Sequence, residues 1–318
     1  MNKRERVAAA IRGEEVDYVP TGFSMHFPDS CKEGEAAVAA HLKFFQETDT
    51  DIIKIMNESL VPYMGEVKEP DDFRKYRVLG PDEKFITDQM KLTREILDKA
   101  DQEAFSVGTL RGITPSMIHP LMAGGMGYME ARLFVRDCLR KDPKPVLQAV
   151  ERVTDGLCHL ARGYMESGTD GVYYASLGGE TDIFTDEEFE MWVKPFELKV
   201  MEAVREAGGY CFLHICKSNL NMERYRDYGS YADVVNWGVY EAPCSLEEGK
   251  RLFPGKTVMG GLANHGGVMI EGTEEELVEE VKRIIYQTGR LGFILGADCT
   301  LPAEVSYDRI RAAVHAAR

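Results

Sequence analysis

Eight short apolar runs, separated by stretches of helical pattern, constrain the fold more than any other feature of this sequence. They are VPTGFSM (19–25), DIIKIM (51–56), FSVGTL (105–110), GVYYAS (171–176), GYCFLHIC (209–216), ADVVNWG (232–238), TVMGGL (257–262) and FILGADC (293–299). Most are continuous in apolar residues rather than alternating. That pattern fits parallel strands covered on both faces, because half-exposed antiparallel strands alternate apolar with polar positions. The segments between them carry helix punctuation. Thr185 to Glu188, Ser245 to Glu248 and Thr273 to Glu276 each have the hydroxyl-to-glutamate spacing of a capping box. After the last of these, Leu277, Val281, Ile284 and Ile285 recur at helical spacing, and Gly289 closes the helix. Pro195 is expected to kink the helix that starts at Thr185 or to restart it, and Pro302 to sit in the first turn of the final helix.

Eight strand-then-helix units predict an α/β protein built as a closed (β/α)8 TIM barrel, with an open doubly wound sheet as the alternative. The length of 318 residues favours the barrel, which takes about 250 residues plus insertions. Insertions are expected after strand 2, over 64–84, and after strand 3, over 121–168. No repeat, low-complexity tract or linker divides the chain. Residues 1–318 are therefore read as a single domain, with a helix ahead of the first strand.

A content of 44% hydrophobic and 29% charged residues supplies a large core. With 38 basic and 53 acidic residues the net charge is −15. That balance argues against nonspecific binding of nucleic acid or of an anionic membrane, both of which need basic patches. No run approaches the roughly 20 apolar residues of a membrane span. The opening MNKRERVAAAIRGEE turns acidic too soon for a secretory signal. The seven cysteines are scattered and odd in number, unlike a disulfide framework. The expectation is a cytoplasmic protein whose cysteines are core filler or ligands.

In such a barrel the chemistry collects at the C-terminal ends of the strands. Met25, His26 and Phe27 follow the first run, Asn57 and Glu58 the second, and Arg111 the third. Glu180 and Asp182 follow the fourth, and Tyr240 and Glu241 the sixth. Asn264 and His265 follow the seventh. The fifth ends in His214 and Cys216, the eighth in Asp298 and Cys299. Residues two apart on a strand point to one face, so His214 and Cys216 project together, and Cys299 could meet them across the barrel mouth. One imidazole and two thiolates suit Zn²⁺, and three protein ligands with a fourth position open mark a catalytic zinc rather than a structural one. The competing reading is an ordinary histidine beside cysteines packed as small hydrophobes. Glu180 and His265 are the candidate proton-handling residues. Met25, His26, Phe27, Asn57, Arg111 and Tyr174 are the candidate substrate contacts.

RERVAAAIRGEEVDYVP near the start, HIC at 214–216 and GADCTLP at 296–302 resemble the uroporphyrinogen-decarboxylase-like superfamily. Within it they look like the zinc methyltransferase branch that works with corrinoid proteins. The resemblance spans nearly the whole chain and is loose between residues 60 and 170. It implies a (β/α)8 barrel, one zinc ion on His214, Cys216 and Cys299, and a corrinoid (cobalamin) carried by a partner protein. The implied reaction is of O-demethylase type, with the methyl group moving from a small compound such as an aryl methyl ether to the corrinoid. The alternative is transfer from methylcorrinoid to a thiol, as in the coenzyme M methyltransferases. The zinc of this branch would polarise the ether oxygen in the first case and hold a thiolate in the second.

The sequence departs from the superfamily in two places. True decarboxylases carry an arginine-rich signature after the first strand to hold porphyrinogen carboxylates, and here GFSMHFPDS has no arginine. Decarboxylation is accordingly a weaker alternative, as is a binding barrel without catalysis. The coenzyme M enzymes can also add a carboxylate to the zinc from beyond the H-x-C strand. Near VVNWG this chain offers Asn236 and Trp237 instead. Glu180, Glu241 or a water could take that place, and Arg111 is the candidate anchor for a sulfonate.

Overall fold

A computed structural model describes residues 1–318. All eight expected runs form strands: β1 (Thr21–Gly22), β2 (Ile52–Ile55), β3 (Phe105–Arg111), β4 (Gly171–Ser176), β5 (Tyr210–Ile215), β6 (Val234–Trp237), β7 (Thr257–Leu262) and β8 (Phe293–Ala297). The helices are α1 (Lys3–Ile11), α2 (Gly34–Thr48), α3 (Lys84–Lys99), α4 (Ile113–Ala123), α5 (Tyr128–Lys141), α6 (Pro143–Glu166), α7 (Asp186–Trp192), α8 (Lys194–Glu206), α9 (Leu246–Leu252), α10 (Glu274–Thr288) and α11 (Tyr307–Ala316). None of them is long and apolar enough to cross a membrane.

The strands are all parallel and run in the order β1-β8-β7-β6-β5-β4-β3-β2, so the chain closes into a barrel between β1 and β2. Short strands leave few ladder bonds at that seam, and a buried carboxylate supplies the rest. The Asp51 N–H donates to Thr21 O at 3.0 Å. Asp51 Oδ2 accepts from the Thr21 amide at 2.8 Å and its hydroxyl at 2.9 Å, while Oδ1 accepts from Arg6 at 2.7 Å. Arg6 reaches this point from α1, which lies across the N-terminal end of the barrel. Val7, Ala10 and Ile11 of α1 pack against Ile52, Phe105, Tyr173, Phe212, Val234, Met259 and Ile294 from the strand interiors. One end of the barrel is thereby filled with apolar side chains, and the C-terminal end is left for chemistry.

All three expected capping boxes form. At Pro195 the helix restarts rather than kinks: α7 stops at Trp192, and α8 begins at Lys194 with the proline in its first turn. Pro302 corrects the sequence reading. It precedes the last helix, which starts at Tyr307 behind a Ser306 cap. After β8 the chain stays extended beside β1, where the Leu301 N–H donates to Ser24 O at 2.8 Å, and that pairing postpones the helix. The segment over 64–84 holds one short 3₁₀ stretch (Pro70–Lys75) packed on α6. The 121–168 insertion provides α5 and α6.

Replacing Asp51 by alanine leaves the buried Arg6 and the Thr21 N–H short of a partner. The expected result is a loss of about 3 kcal/mol, read as a lower urea midpoint at unchanged m-value.

Candidate metal centre

Strand alternation builds the site. On β5, Phe212 faces the barrel interior, and the period of two carries His214 and Cys216 inward above it. The Cys216 N–H donates to Ser176 O at 3.0 Å, which extends the ladder one residue beyond β5. Cys299 stands two residues past the end of β8. The ligand atoms of His214, Cys216 and Cys299 all lie within 4.8 Å of one another. The structure thus brings together the three residues expected as ligands.

Asn236, the register partner of His214 on the neighbouring β6, decides which imidazole nitrogen is available. Its Nδ2 donates to Met259 O at 3.0 Å and to Ala297 O at 3.2 Å. An amide turned the other way would set its oxygen against two carbonyls, so Oδ1 must face His214. That oxygen lies 2.6 Å from His214 Nδ1 and also accepts from the Tyr173 hydroxyl at 2.7 Å. An acceptor there requires the proton on Nδ1, which leaves Nε2 with its lone pair. Nε2 is buried and has no hydrogen-bond partner. A buried unpaired nitrogen facing two thiols is an unmet requirement that a soft, tetrahedral metal ion satisfies. The donor set fits zinc. The Asn236 contact is the kind that fixes a metal-binding histidine in tautomer and orientation.

Electrostatics divide the two thiols. The neighbouring Cys216 sulfur, then His214 and Lys54, draw the Cys299 pKa well below the usual range. Contact with Cys299, then burial, pushes Cys216 well above it. Lys54, buried on β2, lies with its ammonium 3.6 Å over the Tyr173 ring. Burial brings the Lys54 pKa down to about 8, against the pull of Cys299 and Cys216. Immediately after Cys216 the backbone turns through Lys217 at φ 88° and Asn219 at φ 55°. The positive φ at a long-chain lysine is strain stored next to the ligands.

The other residues singled out in the sequence divide between the mouth and the outer layer. Arg111 is paired with Glu58 at 3.0 Å, and His26 approaches the same carboxylate at 3.5 Å. Arg111 is therefore a neutralised rim group rather than a free anchor. Asn57 is buried, and its side chain accepts the Ser59 N–H at 2.9 Å to turn the chain after β2. Met25 is buried beside Leu301, and Phe27 packs 4.7 Å from the His41 ring in the helix layer. Tyr174 faces that outer layer too, since it follows the inward Tyr173 by one residue. Both oxygens of Glu180 are engaged, one by Arg132 at 2.6 Å and one by the Gly178 N–H at 3.0 Å. His265 is exposed in the turn after β7, and Glu241 is exposed after β6. Asp298 is buried beside Cys299, with Oδ2 accepting the Tyr240 N–H at 3.0 Å and Oδ1 unpaired.

Lys54, Tyr173 and Asn236 went unassigned in the sequence reading, and one signal marks two of them. A lone polar residue inside an apolar run, DIIKIM or VVNWG, has to find a buried partner. Tyr173 gave no such signal.

With this geometry in hand, the comparisons with known proteins can be placed. The family model for uroporphyrinogen decarboxylase (URO-D) matches residues 55–318. The chain belongs to this family. No curated protein matches it in sequence. Among solved structures, a methyltransferase from Methanosarcina mazei superposes with a TM-score of 0.77 at 15% identity, covering 99% of this chain and 98% of that one. A B12-independent methionine synthase from Shewanella sp. W3-18-1, in complex with selenomethionine, gives 0.62 at 13% identity, covering 94% and 96%. The methionine synthase from Listeria monocytogenes, described as putative and vitamin-B12 independent, gives 0.54 at 13% identity, covering 95% and 96%. At these identities the likenesses establish the fold that the URO-D barrel shares with them.

Two outcomes follow from the polar network. Asn236→Ala frees the His214 ring, and metal affinity is expected to fall about 10–100-fold in a chelator competition. Behind β4, Glu197 accepts from Ser176 at 2.7 Å and Tyr228 at 2.8 Å, and full burial raises its pKa to about 7. A raised acid stabilises the fold fully below its ordinary value near 4.5, and that stabilisation is lost as pH rises through about 7. Glu197→Gln should abolish a loss on the order of 3 kcal/mol. Thermal melts at pH 5 and pH 8 will show a smaller drop for the variant than for the wild type.

Proposed function

We propose that this protein is a zinc-dependent methyltransferase that moves a methyl group from a small methylated compound, such as an aryl methyl ether, to a corrinoid carried by a partner protein. One observation carries the reading: in a URO-D-family barrel, His214 Nε2 is buried unpaired among two thiols, which is the ligand set of a catalytic zinc. The fold-wide likeness to a methyltransferase supports it. His214, Cys216 and Cys299 would hold the ion. Bound there, zinc supplies a Lewis acid for the atom that loses or gains the methyl group.

The chain's own residues do the positioning. Asn236 keeps the His214 lone pair turned inward, and the Arg111–Glu58 and Arg132–Glu180 pairs fix the rim. Because both rim arginines already have carboxylate partners, neither is free to hold a polycarboxylate, which weighs against porphyrinogen decarboxylation. Leu60 and Tyr63 after β2, Met122, Tyr128 and Met129 after β3, and Tyr240 after β6 are exposed large apolar side chains on segments leading from the mouth. A corrinoid protein docking at the mouth would cover side chains of this kind. A second reading, transfer to a thiol, draws support from the likeness to a methionine synthase bound to selenomethionine.

The test begins with metal analysis of wild type and Cys299→Ala purified under reducing conditions. About one zinc per chain in the wild type and little in the variant is expected. Mixed with a reduced corrinoid protein and an aryl methyl ether, the wild type should convert the Co(I) spectrum to that of methyl-Co(III). A wild type that takes up no zinc overturns the mechanism. Zinc uptake without methyl transfer, from ether or to thiol, points to a binding barrel.

A further inference from the structure

The ammonium of Lys54 lacks the partner that a buried charge normally requires. Lys54 is 7% exposed, and its one hydrogen bond goes to Ser24 Oγ at 3.1 Å. The Tyr173 ring lies beneath it. No carboxylate pairs with it, and the Cys299 thiol lines the same cavity. Phe23, Ser24, Tyr173, Ala297 and Cys299 share its narrow cavity, which is otherwise apolar. A lone buried cation is strongly disfavoured unless its surroundings supply the opposite charge.

Two thiolates cancel a dication. Once His214, Cys216 and Cys299 hold a metal ion, the lysine's counter-charge is used up, and the buried assembly carries one net positive charge. An anionic donor atom entering beside the metal restores neutrality, and a neutral one does not. We propose that Lys54 is a specificity-determining residue that makes this centre select substrates whose metal-facing atom is an anion, or becomes one as the methyl group leaves. The inference rests on the metal-centre reading given above, and it names the substrate class as thiolates or aryloxides rather than amines or thioethers. Lys54 acts through charge at the site and positions no proton. Tyr173 couples the lysine to the ligands: its ring carries the ammonium, and its hydroxyl shares Asn236 Oδ1 with His214.

The experiment uses protein loaded with Co²⁺, whose visible spectrum reports both the metal and any ligand added to it. Wild type, Lys54→Met and Lys54→Arg are titrated with 2-mercaptoethanol and phenol as anion-forming probes, and with dimethyl sulfide as the neutral one. All three proteins should bind one Co²⁺ and melt alike. In Lys54→Met the thiol and phenol affinities should fall about tenfold or more, with dimethyl sulfide unchanged, and Lys54→Arg should keep the anion preference. Loss for thiol alone or for phenol alone identifies which anion the site takes.

Equal anion affinity in Lys54→Met and wild type overturns the assignment while leaving the metal centre intact. Loss of Co²⁺ or of folding in Lys54→Met, with the arginine variant failing likewise, makes the lysine structural and also overturns it. A wild type that binds no Co²⁺ defeats the metal-centre reading itself, an outcome distinct from the other two.

Discussion

Everything at the barrel mouth depends on the sheet closing on itself. Cys216 and Cys299 come from strands that are three positions apart in the sheet order, and in an open sheet they would stand well separated on one edge. Closure bends that edge into a ring and turns both sulfurs toward the axis. The weak point is the junction of β1 and β2, where a two-residue strand offers little ladder. Asp51 compensates by binding the Thr21 amide and hydroxyl with one oxygen and Arg6 with the other. A buried carboxylate remote from the His214, Cys216 and Cys299 cluster thus underlies the convergence of those side chains. It also explains why α1 belongs to the barrel, since Arg6 is its contribution to the seam.

The mouth is built so that polar groups are satisfied in a graded way. Rim charges are paired with each other, Arg111 with Glu58 and Arg132 with Glu180. Deeper in, Asn236 uses both ends of its amide, two bonds at the nitrogen and two contacts at the oxygen. Beside the two thiols, His214 Nε2, one oxygen of Asp298 and most of the donor capacity of Lys54 stay unsatisfied. Buried polar groups left unpaired are costly and rare. What sets His214 Nε2 apart is that it faces two free cysteines whose ligand atoms lie within 4.8 Å.

Much of this was legible before folding. All eight apolar runs became strands, and the three capping boxes formed, because both are local signals that depend on neighbours a few residues away. His214, Cys216 and Cys299 were legible as well, through residue type and strand-end position together. The misreadings have two causes. Pro302 looked like a helix start, but the extended pairing of Leu301 with Ser24 holds its neighbourhood straight. Tyr174 looked like a pocket residue, but strand parity turns it outward and gives the interior to Tyr173. Arg111 looked like a free anchor until Glu58 met it. Pro302 and Arg111 depended on partners distant in sequence, and Tyr174 on the parity of its own strand.

The amino-acid sequence by itself determined the strand and helix order, the parallel barrel class and the soft side chains of His214, Cys216 and Cys299 at strand ends, since apolar continuity, cap chemistry and residue type act locally or through composition. Only the tertiary structure decided which groups stand free. Asn236 became the partner of His214, and Lys54 a cation without a carboxylate, because strand register and barrel closure select contacts between residues that the chain keeps far apart. At this site the residue types of the cluster are local information. The histidine tautomer and the unpaired Nε2 that faces the two thiols are properties of the closed barrel.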